Sequence, residues 1–372
     1  MRLALAAWAT LFVAATRVAA APFAYVPGGG LRGELSIIDI ATNQVTTTLR
    51  FPARLAGVGV DPSGLHAYVT RCDDDSVSVV DAVAGSVTTT ISVGRCPFAA
   101  AVDPPGTRVY VSNHFDNTLS VIDVARGRVL ATVPAGTPCP TALVVDPANM
   151  RLYVASEMGM LSVIDTQTSA VHTTVPLGTI HAGLAINPRG TRLYVTDLLE
   201  DTLFVIDTHT LTVLISVPVG PGVYGVAVHP DGARVYVANA DDNSVSVVET
   251  HTNTIVTKVP VGQAPNGVAV DPTGRYVYAV NQMSNDVSVI DAAANAVVTT
   301  VEVAAAPFVI GQFIGTAPMG TVSAAPSGNG CCLSSSGRAD AGVPALLLLL
   351  PLLVRLVGGA SRGLGQSSAG NE

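Results

Sequence analysis

An acidic residue ends a short apolar run seven times in this chain, and each occurrence follows the previous one after 42 residues. A series of tyrosines runs in step with it, at intervals of 41 to 43 residues. The acidic series is Asp39, Asp81, Asp123, Asp165, Asp207, Glu249 and Asp291, and the tyrosine series is Tyr25, Tyr68, Tyr110, Tyr153, Tyr194, Tyr236 and Tyr278. A fixed period of this size indicates stacked or radial repeats, and it constrains the fold more than any local pattern does.

Segment 219–257 shows the content of one repeat. It contains a tight turn at 229–232, in which proline sets φ and glycine accepts a positive φ. Its β-rich runs are 225–228, 234–237, 244–248 and 254–257. Four short strands in about 42 residues are typical of one blade of a β-propeller. We therefore predict an all-β, seven-bladed β-propeller of four-stranded antiparallel blades over residues 21–315.

The tyrosine strands resemble the YVTN family of β-propeller repeats, which includes surface-layer-type propellers. The strand motif stands here as Tyr-Val-Ser-Asn at 110–113 and Tyr-Val-Ala-Asn at 236–239, and a companion Val-Ile-Asp motif at 121–123. The resemblance covers about residues 22–315, because both motifs keep phase through seven units. Arg71 in blade 2 and Ser156-Glu157 in blade 4 depart from the motif, and these departures concern the loops.

The first blade lacks an innermost strand, because only six tight turns precede the seven tyrosine strands. The segment 306–313 resembles an inner strand that no further blade follows. We predict that this C-terminal strand pairs beside residues 23–26 and closes the ring. Closure is needed because an open blade would expose unpaired edge amides to other chains.

The N-terminal segment predicts export. Residues 1–20 combine Arg2, an apolar run and a small-residue site at 18–20, which is typical of a secretory signal peptide. The apolar run is too short for a membrane anchor. We therefore expect the protein in the periplasm or at the cell surface.

The C-terminal segment has two parts. Residues 316–342 are rich in Gly, Ser, Ala and Pro, as expected of a flexible linker. Residues 343–372 carry a leucine-dense run that is short for a transmembrane helix. The vicinal pair Cys331-Cys332 ahead of this run resembles a bacterial sorting tail, although the chain continues past Ala360. We expect surface attachment through this tail, with a membrane-associated helix as the alternative.

Charge narrows the class of partner. The net charge is −8 and Lys258 is the single lysine. Binding to nucleic acid requires clustered Lys and Arg to neutralise phosphates, so a nucleic-acid partner is not expected. We expect a protein or cell-envelope component as partner, and a monomeric protein.

The seven repeated acids have a structural interpretation. Each is expected to end a third strand and to accept hydrogen bonds from amides of the following turn. Seven copies at one spacing would be scattered around the ring and would not converge on a site.

The candidate ligand-binding residues are polar residues of one loop face. In an up-and-down meander, the loops between blades and the loops after the tyrosine strands lie at the same end of the channel, where propellers generally bind ligands. The alternative is that these side chains only satisfy loop backbone and water. The candidates are Arg71, Asn113, His114, His181, Asp197, Asn239 and Asn281.

Three cysteines lie within the repeats. Cys72 and Cys96 are expected in loops of the same face, and we predict a disulfide between them, since export permits disulfides. Pairing of Cys96 with Cys139 is the alternative. Three isolated cysteines make a poor zinc site.

No cofactor and no metal are predicted. The histidines lack ligand spacing, although His114 and His181 could hold a metal if Asp197 joined them. A C-x-x-C-H haem motif is absent. Quinone-cofactor propellers use blade-docking tryptophans, and the sole tryptophan here, Trp8, lies in the predicted signal.

The sequence therefore favours an exported binding or cell-surface interaction module that works through the loop face of the channel, and it carries no catalytic signature. One alternative is a propeller enzyme or cofactor-binding protein, lactonase-like or redox, with its site at the channel mouth. The other is a structural surface-layer component. Fold analogy alone does not choose among them.

Overall fold

The computed structural model describes residues 23–30, 32–148 and 150–315. Within these ranges the chain forms seven antiparallel sheets, six with four strands and one with three. The inner strands of successive sheets contact one another, so the sheets are blades around a central channel. The predicted seven-bladed all-β fold is confirmed. The predicted signal peptide (1–20), linker (316–342) and tail (343–372) lie outside the described residues.

Blade 1 contains three strands, and each later blade contains four in chain order from the innermost to the outermost. Blades 1 to 4 are formed by β1 (Phe23–Gly28), β2 (Glu34–Asp39), β3 (Gln44–Arg50); β4 (Leu55–Val60), β5 (His66–Arg71), β6 (Ser76–Asp81), β7 (Ser86–Ser92); β8 (Pro97–Val102), β9 (Arg108–Asn113), β10 (Thr118–Asp123), β11 (Arg128–Pro134); β12 (Pro140–Val145), β13 (Arg151–Ser156), β14 (Met160–Asp165) and β15 (Val171–Pro176). Blades 5 to 7 are formed by β16 (His181–Ile186), β17 (Arg192–Asp197), β18 (Thr202–Asp207), β19 (Val213–Pro218); β20 (Val223–Val228), β21 (Arg234–Asn239), β22 (Ser244–Glu249), β23 (Thr254–Pro260); β24 (Pro265–Val270), β25 (Tyr276–Asn281), β26 (Asp286–Asp291) and β27 (Ala296–Glu302). Among the described residues, helical structure is limited to one 3-10 turn, Cys72–Asp74.

The two ends of the ring carry different loops. We call the end with the loops between blades the upper face, and the end with the Pro-Gly turns the lower face. Each inner strand begins at the upper face, as the antiparallel pairing of Leu55 with Arg71 shows in blade 2. At the lower face, Gly64 and Gly106 adopt φ of 75° and 70°, so the tight turns use glycine for the reason that the sequence predicted.

The repeated acids hold turns together. The Oδ1 atom of Asp39 accepts a 2.8 Å hydrogen bond from the amide of Ala41, and Asp123 accepts one of 2.9 Å from the amide of Arg126. Each acid ends the third strand of its blade, except Asp39, which ends the second strand of the three-stranded blade 1. The structural interpretation is confirmed for the six aspartates, whereas Glu249 accepts a hydrogen bond from the hydroxyl of Thr252 at 3.3 Å.

The C-terminal segment closes the ring against blade 1. The amide of Tyr25 donates to the carbonyl oxygen of Phe313 at 2.9 Å, and the amide of Phe308 donates to the carbonyl oxygen of Pro27 at 2.9 Å. The segment pairs with blade 1, as predicted, but through isolated antiparallel bridges in place of a continuous strand. Phe313 is fully buried in a cluster that joins residues of the first and last blades.

A recurrent hydrogen bond ties neighbouring blades at the upper face. An Asn or Asp that ends the loop between the second and third strands accepts a hydrogen bond from the amide that precedes the next inner strand. We call this contact the loop latch, and its acceptor and donor residues both have positive φ. The latches are Asp75–Cys96 (2.8 Å), Asn117–Cys139 (2.8 Å), Asp201–Gly222 (2.8 Å), Asn243–Ala264 (2.9 Å) and Asn285–Ala306 (2.7 Å).

Candidate functional site

A cavity of about 110 Å³ opens at the upper end of the channel. We call it the mouth pocket. Many of its lining residues occupy two repeat positions, the second residue of an inner strand and the loop after a second strand. The lining residues are Gly29, Arg54, Leu55, Ala56, Cys72, Phe98, Thr141, Glu157, Ile180, His181, Ala182, Leu198, Tyr224, Gln282, Phe308 and Ile310. The wall is mostly apolar, as is usual for sites that bind small molecules.

Glu157 is the acidic residue of the mouth pocket. It follows β13, and its side chain is 20% exposed. Burial raises the pKa of its carboxyl group to about 7, because the charged form is poorly solvated there. The nearest basic atom, Nε2 of His114, lies 3.9 Å from Oε2, which is beyond hydrogen-bond distance. Glu157 can therefore gain or lose a proton near neutral pH.

His181 is the first residue of inner strand β16, and its side chain is 1% exposed. Neither ring nitrogen has a hydrogen-bond partner among the described residues. Burial lowers the pKa of this imidazole, while Asp197 and the nearby backbone of Met160, outside normal hydrogen-bond geometry, act in the opposite direction. A buried imidazole without a partner is costly, and a ligand in the pocket would satisfy it.

His114 follows β9 of blade 3 and lies beside the pocket, 3.9 Å from Glu157. Its Nδ1 atom is 3.4 Å from the carbonyl oxygen of Pro140, which assigns the proton to Nδ1 and leaves Nε2 as an acceptor. The ring also contacts Phe98, with a centroid distance of 5.2 Å. Burial lowers the pKa of His114, so this imidazole is neutral when Glu157 titrates.

Arg54 supplies the positive charge of the pocket wall, and Asp73 neutralises it. The Nε atom of Arg54 lies 2.9 Å and 3.0 Å from the two carboxylate oxygens, and Nη2 lies 2.6 Å from one of them. Burial opposes ionisation of Asp73, but the hydrogen bonds from Arg54 outweigh it and hold the pKa of that carboxyl below its ordinary value. The pair therefore adds no net charge to the pocket.

The junction between blades 4 and 5 departs from the other junctions. Gly159 stands where other repeats have the latch acceptor, and a Cβ atom there would lie 2.2 Å from the carbonyl oxygen of Gly178. His181 stands where blades 3, 4 and 7 begin their inner strand with proline. Glu157 and His181 thus flank the one junction of blades 3 to 7, among the described residues, that has no loop latch.

Of the seven predicted ligand-binding residues, His181 lines the mouth pocket and His114 lies next to it. Asn113 and Asn239 are fully buried inside their blades, where their amide groups donate to Ser120 at 3.0 Å and Ser246 at 2.8 Å. Asn281 donates in the same way to Ser288 at 2.9 Å. These three side chains stabilise blades and do not face the channel.

The other two predicted residues also have structural partners. Asp197 accepts hydrogen bonds from the amide and hydroxyl of Thr179 at 2.7 Å and 2.6 Å, and from the amide of Leu199 at 3.1 Å. Arg71 pairs with Asp74 and donates to Ser78 at 3.3 Å. Because Asp197 is saturated in this way, it is not placed to join His114 and His181 around a metal. The described residues contain no group of three or more His, Cys, Asp or Glu side chains that could hold a metal ion.

A disulfide joins Cys72 and Cys96, with an S–S distance of 2.06 Å. This is the first of the two pairings that the sequence left open, and Cys139 is a free thiol. Cys72 lines the mouth pocket, so the bond fixes the pocket wall to the loop between blades 2 and 3.

A second cavity, of about 440 Å³, occupies the lower part of the channel. Its wall contains the prolines of the lower turns and the inner strands. Phe308 and Ile310 belong to residues 306–313, which close the ring and which we call the closing segment. Both residues line both cavities. The closing segment therefore shapes the channel as well as the ring.

Sequence reasoning missed Glu157, Arg54 and the aromatic residues Phe98, Tyr224 and Phe308. The available signal was variation within the repeat. The residue after the second strand and the second residue of the inner strand change from blade to blade, while the flanking motif positions are nearly constant. In a regular ring, the positions that vary between repeats are the ones expected to form a ligand site, because the constant positions maintain the scaffold.

Comparison with known proteins agrees with the fold. A profile of the family described as "Lactonase, 7-bladed beta-propeller" matches residues 181–302, about a third of the chain. This supports a propeller family. No curated protein sequence matches the chain. The solved structure of "Kuenenia stuttgartiensis Hydrazine Synthase" is similar, with 21% identity and a TM-score of 0.64 over 76% of this chain and 99% of that chain. At that identity the likeness shows the fold alone.

Within the described residues, no helix is long and apolar enough to cross a membrane.

Proposed function

We propose that this protein is an exported binding module of the YVTN type that holds a small molecule, or a small group of a cell-envelope component, in the mouth pocket. The observation that carries the proposal is His181, which is buried at the pocket with no described hydrogen-bond partner. Buried polar groups in native proteins are nearly always paired. The pocket therefore contains a polar contact that a ligand would complete.

The apolar wall supports the same function. Phe98 and Tyr224 are the second residues of inner strands β8 and β20, and together with Phe308 of the C-terminal segment they bring aromatic surface to one cavity. Concave apolar surface with few convergent polar groups is the usual form of a small-molecule site. Export and surface location belong to the proposal and agree with the sequence of residues 1–20 and 343–372.

Binding can be tested by ligand-observed NMR with a set of small aromatic and aliphatic fragments. Ala182→Trp fills the pocket, and Ala84→Trp places the same bulk on an exposed turn of the lower face. We expect fragments to bind the wild type and Ala84→Trp but not Ala182→Trp, with unchanged circular dichroism. Equal binding by all three proteins would place the site elsewhere and refute the proposal.

A second candidate is a lactonase-like enzyme, favoured by the family match and by Glu157. A carboxyl group with a pKa of about 7 can accept a proton from water at neutral pH. Water attacking the carbonyl of a ring ester would break the ring C–O bond and give a hydroxy acid. Glu157 would take the proton from water and return it to the leaving alkoxide.

This second candidate is tested by following acid release from simple lactones in a pH-stat at pH 6 to 8. The enzyme hypothesis predicts turnover that Glu157→Gln reduces by at least 100-fold. Binding of lactones without turnover would leave the binding module as the function.

A further inference from the structure

The charge balance of the mouth pocket indicates the chemistry of its ligand. Arg54 and Asp73 neutralise each other through several short hydrogen bonds. Burial lowers the pKa of both His114 and His181, so neither imidazole is positive near neutral pH. Glu157 is the remaining charged group of the pocket wall, and its charge has no counter-ion within hydrogen-bond distance.

Every titratable group that faces Glu157 leaves its charge uncompensated. His114 approaches from blade 3 at 3.9 Å and is neutral. Cys139, from the loop between blades 3 and 4, carries a thiol whose pKa is raised by burial and by Glu157. His181, which lines the same pocket, is neutral, and Arg54 is engaged by Asp73. A buried carboxylate of this kind is stabilised when a cation is brought to it.

We propose that the mouth pocket selects a primary ammonium group on a short apolar body, with the Glu157 carboxylate as counter-ion and a ring nitrogen of His181 as hydrogen-bond acceptor. This inference rests on the proposed binding function and adds the class of ligand. The ammonium donates to the carboxylate and to the unpaired imidazole. The apolar body packs among Phe98, Tyr224 and Phe308.

The cavity volume limits the size of that body. The mouth pocket holds about 110 Å³, less than the engineered cavity of about 150 Å³ that accommodates benzene. Because the pocket is open to solvent at the top, an ammonium with one aromatic ring or a short alkyl chain is the expected size. When Glu157 is ionised, its charge excludes carboxylates and phosphates.

The proposal is tested by calorimetric titration with benzylamine, benzyl alcohol and benzoate, which share a ring and differ in charge. The competent form of the pocket requires ionised Glu157, and apparent affinity scales with the fraction of that form. With a pKa of about 7, benzylamine affinity should rise about tenfold between pH 6 and pH 8. Benzyl alcohol should bind weakly with little pH dependence, and benzoate should not bind.

Glu157→Gln is the matched variant. It should lose the tenfold pH dependence for benzylamine, and a circular dichroism spectrum like that of the wild type shows that the variant is folded. A short peptide with one lysine distinguishes a free amine from an ammonium group carried by a larger partner. Binding of either the free amine or the lysine peptide supports recognition of an ammonium group.

Two results distinguish a failure of the ammonium inference from a failure of the proposed binding function. If benzylamine binds no more tightly than benzyl alcohol at pH 8, the ammonium inference is overturned while binding at the mouth stands. If none of the probes binds, and Ala182→Trp binds the NMR fragments as the wild type does, the proposed binding function fails as well.

Discussion

The carboxyl group of Glu157 lies 3.9 Å from Nε2 of His114, and burial raises the pKa of the carboxyl group to about 7 while it lowers the pKa of the imidazole. The proton of His114 is directed to the carbonyl oxygen of Pro140, so its free nitrogen faces Glu157 as an acceptor. The protonated carboxyl can donate to that nitrogen after a small movement. The deprotonated carboxyl cannot, and it then needs a cation from outside.

Glu157 should make stability depend on pH. Its pKa is 4.5 when unperturbed and about 7 in the folded protein, so the folded state binds the proton more tightly. The contribution of Glu157 to stability is therefore greatest below pH 4.5 and is lost as pH rises to about 7, by on the order of 3 kcal/mol. Glu157→Gln should remove this loss, so its stability relative to the wild type should increase from pH 4.5 to pH 8.

This is measured by urea denaturation at both pH values. Glu302→Gln, at an exposed position, is the control and should follow the wild type. Parallel stability curves for the wild type and Glu157→Gln would contradict the assigned burial of the carboxyl group.

The loop latches should stabilise the junctions between blades. Asn243 accepts a 2.9 Å hydrogen bond from the amide of Ala264 and has a φ of 53°. Asn243→Gly keeps the backbone conformation and should cost about 1 kcal/mol for the lost hydrogen bond. Asn243→Ala should cost about 1 kcal/mol more, because alanine is strained at positive φ.

Asn253 provides a matched control, since its φ is also 53°. Asn253→Gly removes no latch and should change the free energy of unfolding by less than about 0.5 kcal/mol. Equal effects of Gly at the two positions in thermal or urea denaturation would show that the latch contributes nothing.

Closure of the ring should depend on Phe313. Its side chain is fully buried where the closing segment meets blade 1. Phe313→Ala should destabilise the protein by about 3–5 kcal/mol, and deletion of residues 306–315 should give an aggregating or unfolded protein. Phe115→Ala, at a side chain 40% exposed, is the control for loss of a phenyl ring. Unchanged melting of the deletion variant would refute the closure.

The disulfide should stabilise blade 2 and the pocket wall. Cys72 and Cys96 are separated by 24 residues, and a closed loop of that length corresponds to about 3.4 kcal/mol in the chain-entropy account. Reduction should lower the denaturation midpoint of the wild type. The double variant Cys72→Ala/Cys96→Ala should start at the lower midpoint and not respond to reductant. A reductant effect of the same size in that variant would assign it to another group.

The fold could be predicted because its determinants repeat. Seven tyrosines and seven acids in phase, with a Pro-x-Gly turn in five of the six lower turns that precede a tyrosine strand, leave few alternatives to a propeller. The absent inner strand of blade 1 predicted where the C-terminal segment pairs. That segment forms isolated bridges in place of a strand. The segment pairs with Pro27 of blade 1 and, in parallel, with Gly57 of inner strand β4. These pairings depend on tertiary contacts that the repeat pattern of the sequence does not contain.

The site was harder to predict because side chains alternate along a strand. Asn113, Asn239 and Asn281 end second strands and point into the blade, where serines of the next strand bind them. The following residue faces the channel, as Glu157 and Gln282 do. A shift of one residue along the strand turns the side chain from the blade interior to the channel. The polarity of the loop does not show which of the two consecutive residues faces the channel.

The most direct test of ligand binding at the channel mouth is a crystal structure of the protein soaked with benzylamine at pH 8. We expect electron density for the ligand in the mouth pocket, with its nitrogen within 3.2 Å of the Glu157 carboxylate and its ring among Phe98, Tyr224 and Phe308. A mouth pocket that stays free of ligand at millimolar benzylamine, with the ligand ordered at a different surface, would contradict it.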